Sequence, residues 1–172
     1  RPGATSLPPV QLRTATTDDA AAIAAIYNVE VETSTVTFDI EPRSIAAQRS
    51  CISDRSGAHA VIVAVDDAGE VVGFGSLSPY KERAAYATSV EDSVYVHRSH
   101  QGEGVGRALL TELVARSRAH GFHAVFARIV ADHEASIGLH AALGFALVGV
   151  EREVGRKFGR WLDVTVMQLL LP

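Results

Sequence analysis

The sequence predicts a mixed α/β fold in which helices cover the faces of a central β-sheet. Apolar residues recur at helical spacing in some segments, while other segments are the short apolar runs typical of buried strands. The two kinds of segment are interleaved along the chain, and glycine, proline or polar residues separate most of them. In order, they predict a strand, two helices, three strands, a helix, a strand, a helix and two strands.

The first half of the chain contains two predicted helices and three predicted strands. The helices span 20–31 and 44–52, and the strands span 10–13, 59–65 and 71–78. Residues 67–70 supply a polar turn, so the last two strands are expected to form a hairpin. The segment 33–42 interrupts the helical period and is expected to be a loop that carries one large apolar residue, Phe38.

The second half of the chain interleaves strands with helices and ends in two strands. The strands span 88–96, 124–130, 146–154 and 161–171, and the helices span 104–120 and 136–143. Leu109, Leu110 and Leu113 lie on one face of the longer helix, which indicates that this face is buried. Gly121 and Gly144 follow the two helices, and glycine commonly ends a helix.

The composition is that of one globular domain. The chain has 172 residues, of which 47% are hydrophobic and 21% are charged, so it can bury one sizeable core. Because no repeat or linker interrupts it, residues 10–172 are expected to form a single domain. Residues 1–9 are rich in proline and are expected to be a disordered leader.

Charge and cysteine content argue against several classes of partner. The formal net charge is -4, whereas nucleic-acid binding usually requires a basic excess. The single cysteine, Cys51, cannot form an internal disulfide, which favours a reducing compartment. The sequence shows no signal peptide and no apolar run near the ~18 residues of a membrane span. We therefore expect a cytoplasmic protein that binds neither nucleic acid nor membranes.

The segment 101–106 reads Gln-Gly-Glu-Gly-Val-Gly and lies between a predicted strand and a predicted helix. A glycine-rich turn before a helix can gather free backbone N–H groups around an anion. The spacing fits neither the dinucleotide-binding Gly-x-Gly-x-x-Gly pattern nor the P-loop. It fits Gln/Arg-x-x-Gly-x-Gly/Ala, read as Gln101, Gly104 and Gly106. This pattern predicts a pyrophosphate-binding turn, and a turn without a ligand is the alternative.

With its flanking segments, this turn resembles the centre of the GCN5-related N-acetyltransferase (GNAT) superfamily, and the likeness extends over about residues 12–170. In particular, the chain is similar to the phosphinothricin and methionine sulfone acetyltransferases. The stretches that carry this likeness are Ile26-Tyr27-Asn28, Thr37-Phe38, Arg83-x-x-Tyr86, Val90-Glu91-x-Ser93-Val94-Tyr95-Val96, Leu139-His140-x-Ala142-Leu143-Gly144-Phe145 and Gly159-x-Trp161-x-Asp163.

The resemblance implies a GNAT fold, with a mostly antiparallel sheet, helices on both faces and one splayed pair of parallel strands. Acetyl-CoA would lie between these two strands, predicted at 88–96 and 124–130. The pantetheine arm would pair with the backbone of Val94, Tyr95 and Val96. The pyrophosphate would meet Gln101, Gly102, Glu103, Gly104, Val105, Gly106 and Arg107. His133 stands where relatives have an asparagine that contacts the cofactor arm, which is a departure from the family pattern.

The resemblance also implies the catalytic residues. Glu91 is expected to act as the general base, because the substrate amine must lose a proton before it attacks the thioester. His140 is expected to lie near the sulfur as a hydrogen-bond donor, acid or base. The N–H of Val96 is a candidate donor to the tetrahedral oxyanion. The structural alternatives are that Glu91 and Asp92 are ordinary solvent-facing acids and that His140 is a buried histidine bonded to the backbone.

Arg83, Tyr86 and Phe38 are the expected substrate-binding residues, since an arginine suits a carboxylate or phosphinate. The expected substrate is a small anionic amino acid such as phosphinothricin or methionine sulfone. Another amine substrate (a polyamine, an aminoglycoside or a protein N-terminus) and a non-catalytic acyl-CoA-binding module are the alternatives.

The resemblance implies a homodimer. No metal is expected, because the pairs His97/His100 and His120/His123 have no clear third ligand.

Overall fold

The computed structural model describes residues 10–172, so the leader expected at residues 1–9 lies outside the described part of the chain. Its strands form one seven-stranded sheet in the order β1-β2-β3-β4-β5-β7-β6. The strands are β1 (Gln11–Thr14), β2 (Ile62–Val65), β3 (Val71–Pro79), β4 (Ser89–Val96), β5 (Ala124–Val130), β6 (Ala146–Lys157) and β7 (Arg160–Leu170). The four α-helices are α1 (Ala20–Thr33), α2 (Ile45–Ser53), α3 (Val105–Ala119) and α4 (Glu134–Ala142).

Helices cover both faces of the sheet, as the α/β prediction requires. On one face, Leu109, Leu110 and Leu113 of α3 are fully buried in the larger apolar cluster. On the other face, Ile23 of α1 belongs to a second cluster together with Phe74 of β3. Each face therefore has a core of its own, and the sheet lies between two layers of helices.

Two glycines in β3 allow α3 to approach the sheet closely. A Cβ atom built at Gly73 would lie 3.0 Å from the Leu109 Cδ1 atom, and one built at Gly75 would lie 2.9 Å from the carbonyl oxygen of Ser93. A larger side chain at either position would push α3 or β4 away. Since α3 begins directly after the glycine turn, this close packing also sets the distance between that turn and the sheet.

The strands β4 and β5 are parallel and separate soon after they meet. They pair only from Ser89, Val90 and Glu91 to the three residues 124–126, whereas all other neighbouring strands are antiparallel. Beyond Glu91, β4 remains paired with β3, and β5 remains paired with β7. This confirms the fold expected from the resemblance, including the splayed parallel pair.

Several predicted element boundaries were wrong by a few residues. Residues 59–61 do not belong to β2, because His59 ends a short 3₁₀-helix. The last hairpin is longer than predicted and turns at Phe158-Gly159, where φ is +51° and +72°. Just before this turn, Lys157 is buried, and its Nζ atom donates to the carbonyl oxygen of Thr37 at 2.9 Å.

Within residues 10–172, every helix is too short or too polar to cross a membrane.

Candidate active site

A cavity of about 850 Å³ lies where β4 and β5 separate. Its walls include β4 from Glu91 to Val96, β5 from Ala127 to Val130, the glycine turn and the first residues of α4. The backbone of β4 faces this cavity with polar groups. The His97 N–H donates to the Val72 carbonyl oxygen in β3 at 2.8 Å. Because N–H groups alternate sides along a strand, those of Val94 and Val96 point away from β3 and into the cleft.

The glycine turn closes one end of the cleft. Gly102 and Gly104 have φ values of +79° and +86°, which only glycine adopts without strain. The first backbone hydrogen bond of α3 is donated by Ala108 to the Gly104 carbonyl oxygen at 3.0 Å. The N–H groups that precede Ala108 therefore have no acceptor inside the helix and can bind an anion. A Cβ atom at Gly102 would meet nothing within 4 Å, so this side of the turn is open.

Most of the predicted cofactor-binding residues line this cavity. They are Val94, Tyr95, Val96, Gln101, Gly102, Gly104, Gly106, Arg107 and His133. Two lie outside its lining: Val105 is buried in the core at the start of α3, and the Glu103 carboxylate is hydrogen-bonded to the His100 ring at 3.0 Å. An extended ligand with a terminal diphosphate fits this arrangement, because a free strand edge lies in line with the N-terminus of a helix.

Glu91 is the last residue of β4 that pairs with β5, so its carboxylate lies at the point where the cleft begins. It shares one face of the sheet with Ser93 and Tyr95, the face that α1 covers. Burial raises the pKa of the Glu91 carboxyl above its ordinary value, and the nearby Arg128 charge only partly opposes this shift. A carboxylate with a raised pKa is a stronger base, which suits proton removal from an amine.

Asp92 points to the opposite face of β4 and forms a buried ion pair with His140 of α4. The His140 Nε2 atom lies 3.0 and 3.1 Å from the two carboxylate oxygens of Asp92. The Nδ1 atom of the ring lies 2.8 Å from the Ser136 carbonyl oxygen. Burial lowers the pKa of His140, but the hydrogen bond and charge of Asp92 outweigh this and raise it above the ordinary value. The neighbours of both ring nitrogens are oxygen atoms that accept hydrogen bonds, so an imidazolium ring would satisfy both contacts.

The partner of His140 was missing from the sequence prediction. The reading of Asp92 as an ordinary solvent-facing acid was wrong, since only 7% of the residue is exposed. The strand pattern contained a usable signal. Val90 and Asp92 are two residues apart and share a face, so an apolar Val90 implied that Asp92 also points into the core. A carboxylate there requires a cationic partner.

The far wall of the cavity is formed by α1 and the loop that follows it. Phe38 lines the cavity and also packs over Gly155 of β6. Its role in substrate binding stays a prediction. The buried Glu30 accepts hydrogen bonds from the Arg98 guanidinium at 2.9 and 3.2 Å. Burial raises the pKa of Glu30, but the hydrogen bonds from Arg98 and Ser34 outweigh it and lower the pKa. This wall is thus held by an ion pair between a buried carboxylate and a half-exposed guanidinium.

His133 caps α4 and is half-buried in the cavity wall. Burial lowers the pKa of His133, so its ring is neutral near neutral pH and one nitrogen remains a donor.

The structure does not bring Arg83 and Tyr86 into this cavity. Arg83 is exposed, and Tyr86 packs edge-to-face on Tyr80 with ring centroids 5.6 Å apart. Their roles in substrate binding stay predictions.

Among residues 10–172, no group of three or more histidine, cysteine or acidic side chains is arranged to hold a metal ion.

Comparison with known proteins agrees with this geometry. The family described as "Acetyltransferase (GNAT) domain" matches residues 12–166. The chain is 40% identical over 161 residues to an L-methionine sulfoximine/L-methionine sulfone acetyltransferase of Pseudomonas aeruginosa, covering 93% of this chain and 94% of that protein. It is 39% identical over 158 residues to a phosphinothricin N-acetyltransferase of Streptomyces coelicolor, covering 90% of this chain and 92% of that protein.

A solved structure is similarly close. The crystal structure of a GNAT superfamily phosphinothricin acetyltransferase from Sinorhizobium meliloti in complex with acetyl-CoA superposes with a TM-score of 0.87 at 39% identity. The match covers 95% of this chain and 89% of that one. The structure has a splayed strand pair and a glycine turn at the start of a helix, and the family model and these relatives match nearly the whole chain. The chain therefore belongs to the GNAT family and is an acetyl-CoA-dependent N-acetyltransferase.

Proposed function

We propose that this enzyme acetylates the amino group of a small anionic amino acid of the phosphinothricin or methionine sulfone type. The observation that carries the proposal is the place of Glu91, a base of raised pKa at the apex of the cofactor cleft. The names of the relatives point to the same class of substrate. The test is CoA thiol release by the purified enzyme with acetyl-CoA and methionine sulfone. Failure to turn over this substrate class while acetylating other amines would contradict it.

The proposed mechanism is direct transfer. Glu91 takes a proton from the substrate ammonium, either directly or through a water molecule, and the amine nitrogen attacks the thioester carbonyl carbon. Backbone N–H groups of β4, with that of Val96 as the candidate, stabilise the oxyanion. The C–S bond then breaks, and its electron pair leaves with the sulfur as a thiolate. The attacking nitrogen gives up its second proton to this thiolate or to solvent, which leaves a neutral amide and CoA.

We propose that His140 stabilises the leaving thiolate by its positive charge and does not donate a proton to it. Because Asp92 and the Ser136 carbonyl engage both of its nitrogens, the ring stays protonated as it faces the cleft. We infer that its positive charge acts on the developing thiolate from the face of β4 opposite to Glu91. The base and the leaving group would then be separated by the strand itself.

A different amine substrate is the main alternative, whether a polyamine, an aminoglycoside or a protein N-terminus. An amine panel distinguishes these substrates directly. Reversing the charge of Arg83 should abolish use of an anionic amino acid and matter less for a cationic amine, if Arg83 binds the substrate. A non-catalytic acyl-CoA-binding module is no longer an alternative, since the chain is a GNAT N-acetyltransferase.

A homodimer is proposed from the last hairpin. β6 is an edge strand, and the hairpin β6–β7 exposes a set of large apolar side chains: Leu147, Val154, Phe158 and Trp161. An exposed edge strand with apolar side chains is unfavourable in water unless another surface covers it. We propose that a second copy of the chain covers this surface. A cytoplasmic location is a separate proposal.

A further inference from the structure

A second depression, of about 540 Å³, adjoins Glu91 outside the cofactor cleft. It lies between β5, β6 and the residues that follow β3. Its polar lining is Tyr80, Lys81, Glu91, Arg128 and Glu151, and its apolar lining is Val148, Val150 and Val166. Glu91 and Arg128 belong to the walls of both this depression and the cofactor cleft. A molecule bound here would therefore reach the base without occupying the cleft.

The strand register places Arg128 beside the base. Glu91 of β4 pairs with Phe126 of β5, and Arg128 is two residues farther along β5 on the same face of the sheet. This is the first position on that face after the two strands part. The charge of Arg128 acts against the rise in the pKa of Glu91, as expected of a neighbouring cation.

Arg128 is held in place by a partner that can be replaced. Its Nη2 atom lies 2.6 Å from the Glu151 Oε1 atom, and the side chains are 35% and 42% exposed. Ion pairs with this exposure are screened by water and hold weakly. The guanidinium has five N–H donors, so it can share them with a second carboxylate or exchange Glu151 for it.

The chemistry of the substrate selects a cation in this position. In an α-amino acid, one carbon atom separates the amine from the carboxylate. When the amine reaches Glu91, the carboxylate must lie within a few ångströms of it. Arg128 and Lys81 line the same depression as Glu91, whereas Arg83 lines neither cavity. Of the two cations, Arg128 has the planar fork that binds a carboxylate through two hydrogen bonds.

We propose that Arg128 binds the α-carboxylate of the acceptor amino acid, that Glu151 holds the guanidinium ready, and that Val148, Val150 and Tyr80 line the pocket for the acceptor side chain. This inference rests on the proposed function. Arg128 is a specificity residue that lies outside the sequence motifs. The acceptor would bind in the second depression, and acetyl-CoA would bind in the cleft.

The test compares methionine sulfone with its decarboxylated amine analogue in wild type and in Arg128→Gln. The kcat/KM for the amino acid should fall about 100-fold, mainly through KM, because a bidentate charged contact is lost. The kcat/KM for the decarboxylated amine should stay within about threefold of wild type. Arg128→Lys keeps the positive charge but lacks the planar guanidinium. Its kcat/KM for the amino acid should therefore lie between the values of the wild type and Arg128→Gln.

Arg152→Gln is the matched control. Arg152 is likewise paired with an acid, Asp163, at 3.2 Å, but it lies on β6 and lines neither cavity. It should leave the preference for the amino acid over the amine unchanged. Equal losses on both substrates in Arg128→Gln, or no loss on either, would overturn the inference. Loss of the preference in Arg83→Gln but not in Arg128→Gln would overturn it as well.

Binding measurements keep this test separate from the proposed function. Calorimetric titration of methionine sulfone into the CoA-bound enzyme should show binding that Arg128→Gln weakens and Arg152→Gln does not. If the wild type turns over no amino acid, the proposed function fails. If the amino acid is turned over and bound as tightly by Arg128→Gln as by the wild type, only the role of Arg128 fails.

Discussion

Glu91 and Asp92 are neighbours in sequence, yet the strand directs them to opposite faces of the sheet, where they meet different surroundings. Within residues 10–172, Glu91 forms no ion pair, and burial raises its pKa. Asp92 is paired with His140 in the core, and this pairing raises the pKa of the histidine. These different surroundings suit the two carboxylates to different tasks. Here the unpaired carboxylate is the proposed base, and the paired one holds His140.

Replacing the proposed base should remove most of the activity without loss of cofactor binding. In Glu91→Gln, kcat should fall about 10²- to 10⁴-fold, the range for loss of a general base. Because the base must be deprotonated and its pKa is raised, the acidic limb of the wild-type kcat/KM profile should lie above pH 4.5. Steady-state kinetics across pH and calorimetry with acetyl-CoA measure both effects. Full turnover by Glu91→Gln would contradict this role.

The Asp92–His140 pair should make stability fall as pH rises above the unfolded pKa of a histidine, about 6.5. The pKa of His140 is raised in the folded state, so its contribution is complete below its unfolded value of about 6.5 and is lost as pH rises through the folded value. Asp92→Asn should remove this dependence and cost about 3–5 kcal/mol, since it breaks a buried ion pair. Urea unfolding of both proteins between about pH 5.5 and 9 measures this.

Asp19→Asn is the control for this comparison. Asp19 is also buried and paired, with Arg13 at 2.7 Å, but it lies outside the cleft. The Arg13 hydrogen bond lowers the pKa of Asp19, so that pair contributes above an ordinary carboxyl pKa and is lost as pH falls. Asp19→Asn should therefore leave the alkaline slope intact. A wild-type unfolding free energy that is flat across the alkaline range would rule out a protonated His140.

At the scale of elements, the start of α3 combines two requirements in one short turn. The chain must reverse tightly after β4, and its N–H groups must remain free for a ligand. Gly102 and Gly104 satisfy the first requirement through positive φ values. The helix satisfies the second, because its first bonds begin only at Ala108. Strain and ligand binding can be separated by comparing two glycines of similar φ.

Gly102→Ala and Gly121→Ala should destabilise the protein equally and affect the cofactor differently. The φ values are +79° and +78°, and a Cβ atom at either position would meet nothing within 4 Å. Each change should therefore cost about 1 kcal/mol through backbone strain alone. Only Gly102→Ala should also raise the KM for acetyl-CoA, by about tenfold, because it disturbs the anion turn. Equal KM values in the two variants would show that the turn does not bind the cofactor.

At the scale of the whole molecule, the last hairpin joins parts of the chain that are far apart in sequence. The tip of β6 reaches the loop after α1, where Lys157 donates to the Thr37 carbonyl and Phe38 lies over Gly155. Through these contacts, the hairpin supports the wall of the cleft that Phe38 and Glu30 form. Its outer face carries the apolar residues assigned to the proposed dimer.

The contact between Phe38 and β6 leaves no room for a side chain at residue 155. A Cβ atom at Gly155 would lie 2.3 Å from the Phe38 ring. Gly155→Ala should therefore cost about 1–3 kcal/mol and displace Phe38. In contrast, a Cβ atom at Gly149 in the same strand would meet nothing within 4 Å, so Gly149→Ala should cost much less. Denaturant unfolding of the two variants measures the difference, and equal losses would contradict the packing argument.

The proposed dimer can be tested on the same hairpin. Trp161 is 58% exposed and Leu147 is 64% exposed in the single chain. If a second copy covers them, the double change Leu147→Glu and Trp161→Glu should turn a dimer into a folded monomer, because a buried carboxylate without a partner is costly. Sedimentation equilibrium measures the mass of both proteins. A wild-type monomer at micromolar concentration would contradict the proposal.

The sequence by itself determined the order of the elements, the fold class and the glycine turn. These features depend on local spacing and on residue types that keep their meaning without a partner, such as glycine at positive φ. Element ends were less certain, because the last hairpin is extended by contacts with a distant loop. Glu91 and His140 were predicted only through the resemblance to a family.

Only the tertiary structure decided which side chains meet. Asp92 and His140 are 48 residues apart, and their pairing requires α4 to pack against β4. Arg128 became a candidate because β5 runs parallel to β4 for three residues and then diverges, which places its side chain beside Glu91. Side-chain chemistry is set by neighbours in space, and contacts between distant segments have no local pattern from which they can be predicted.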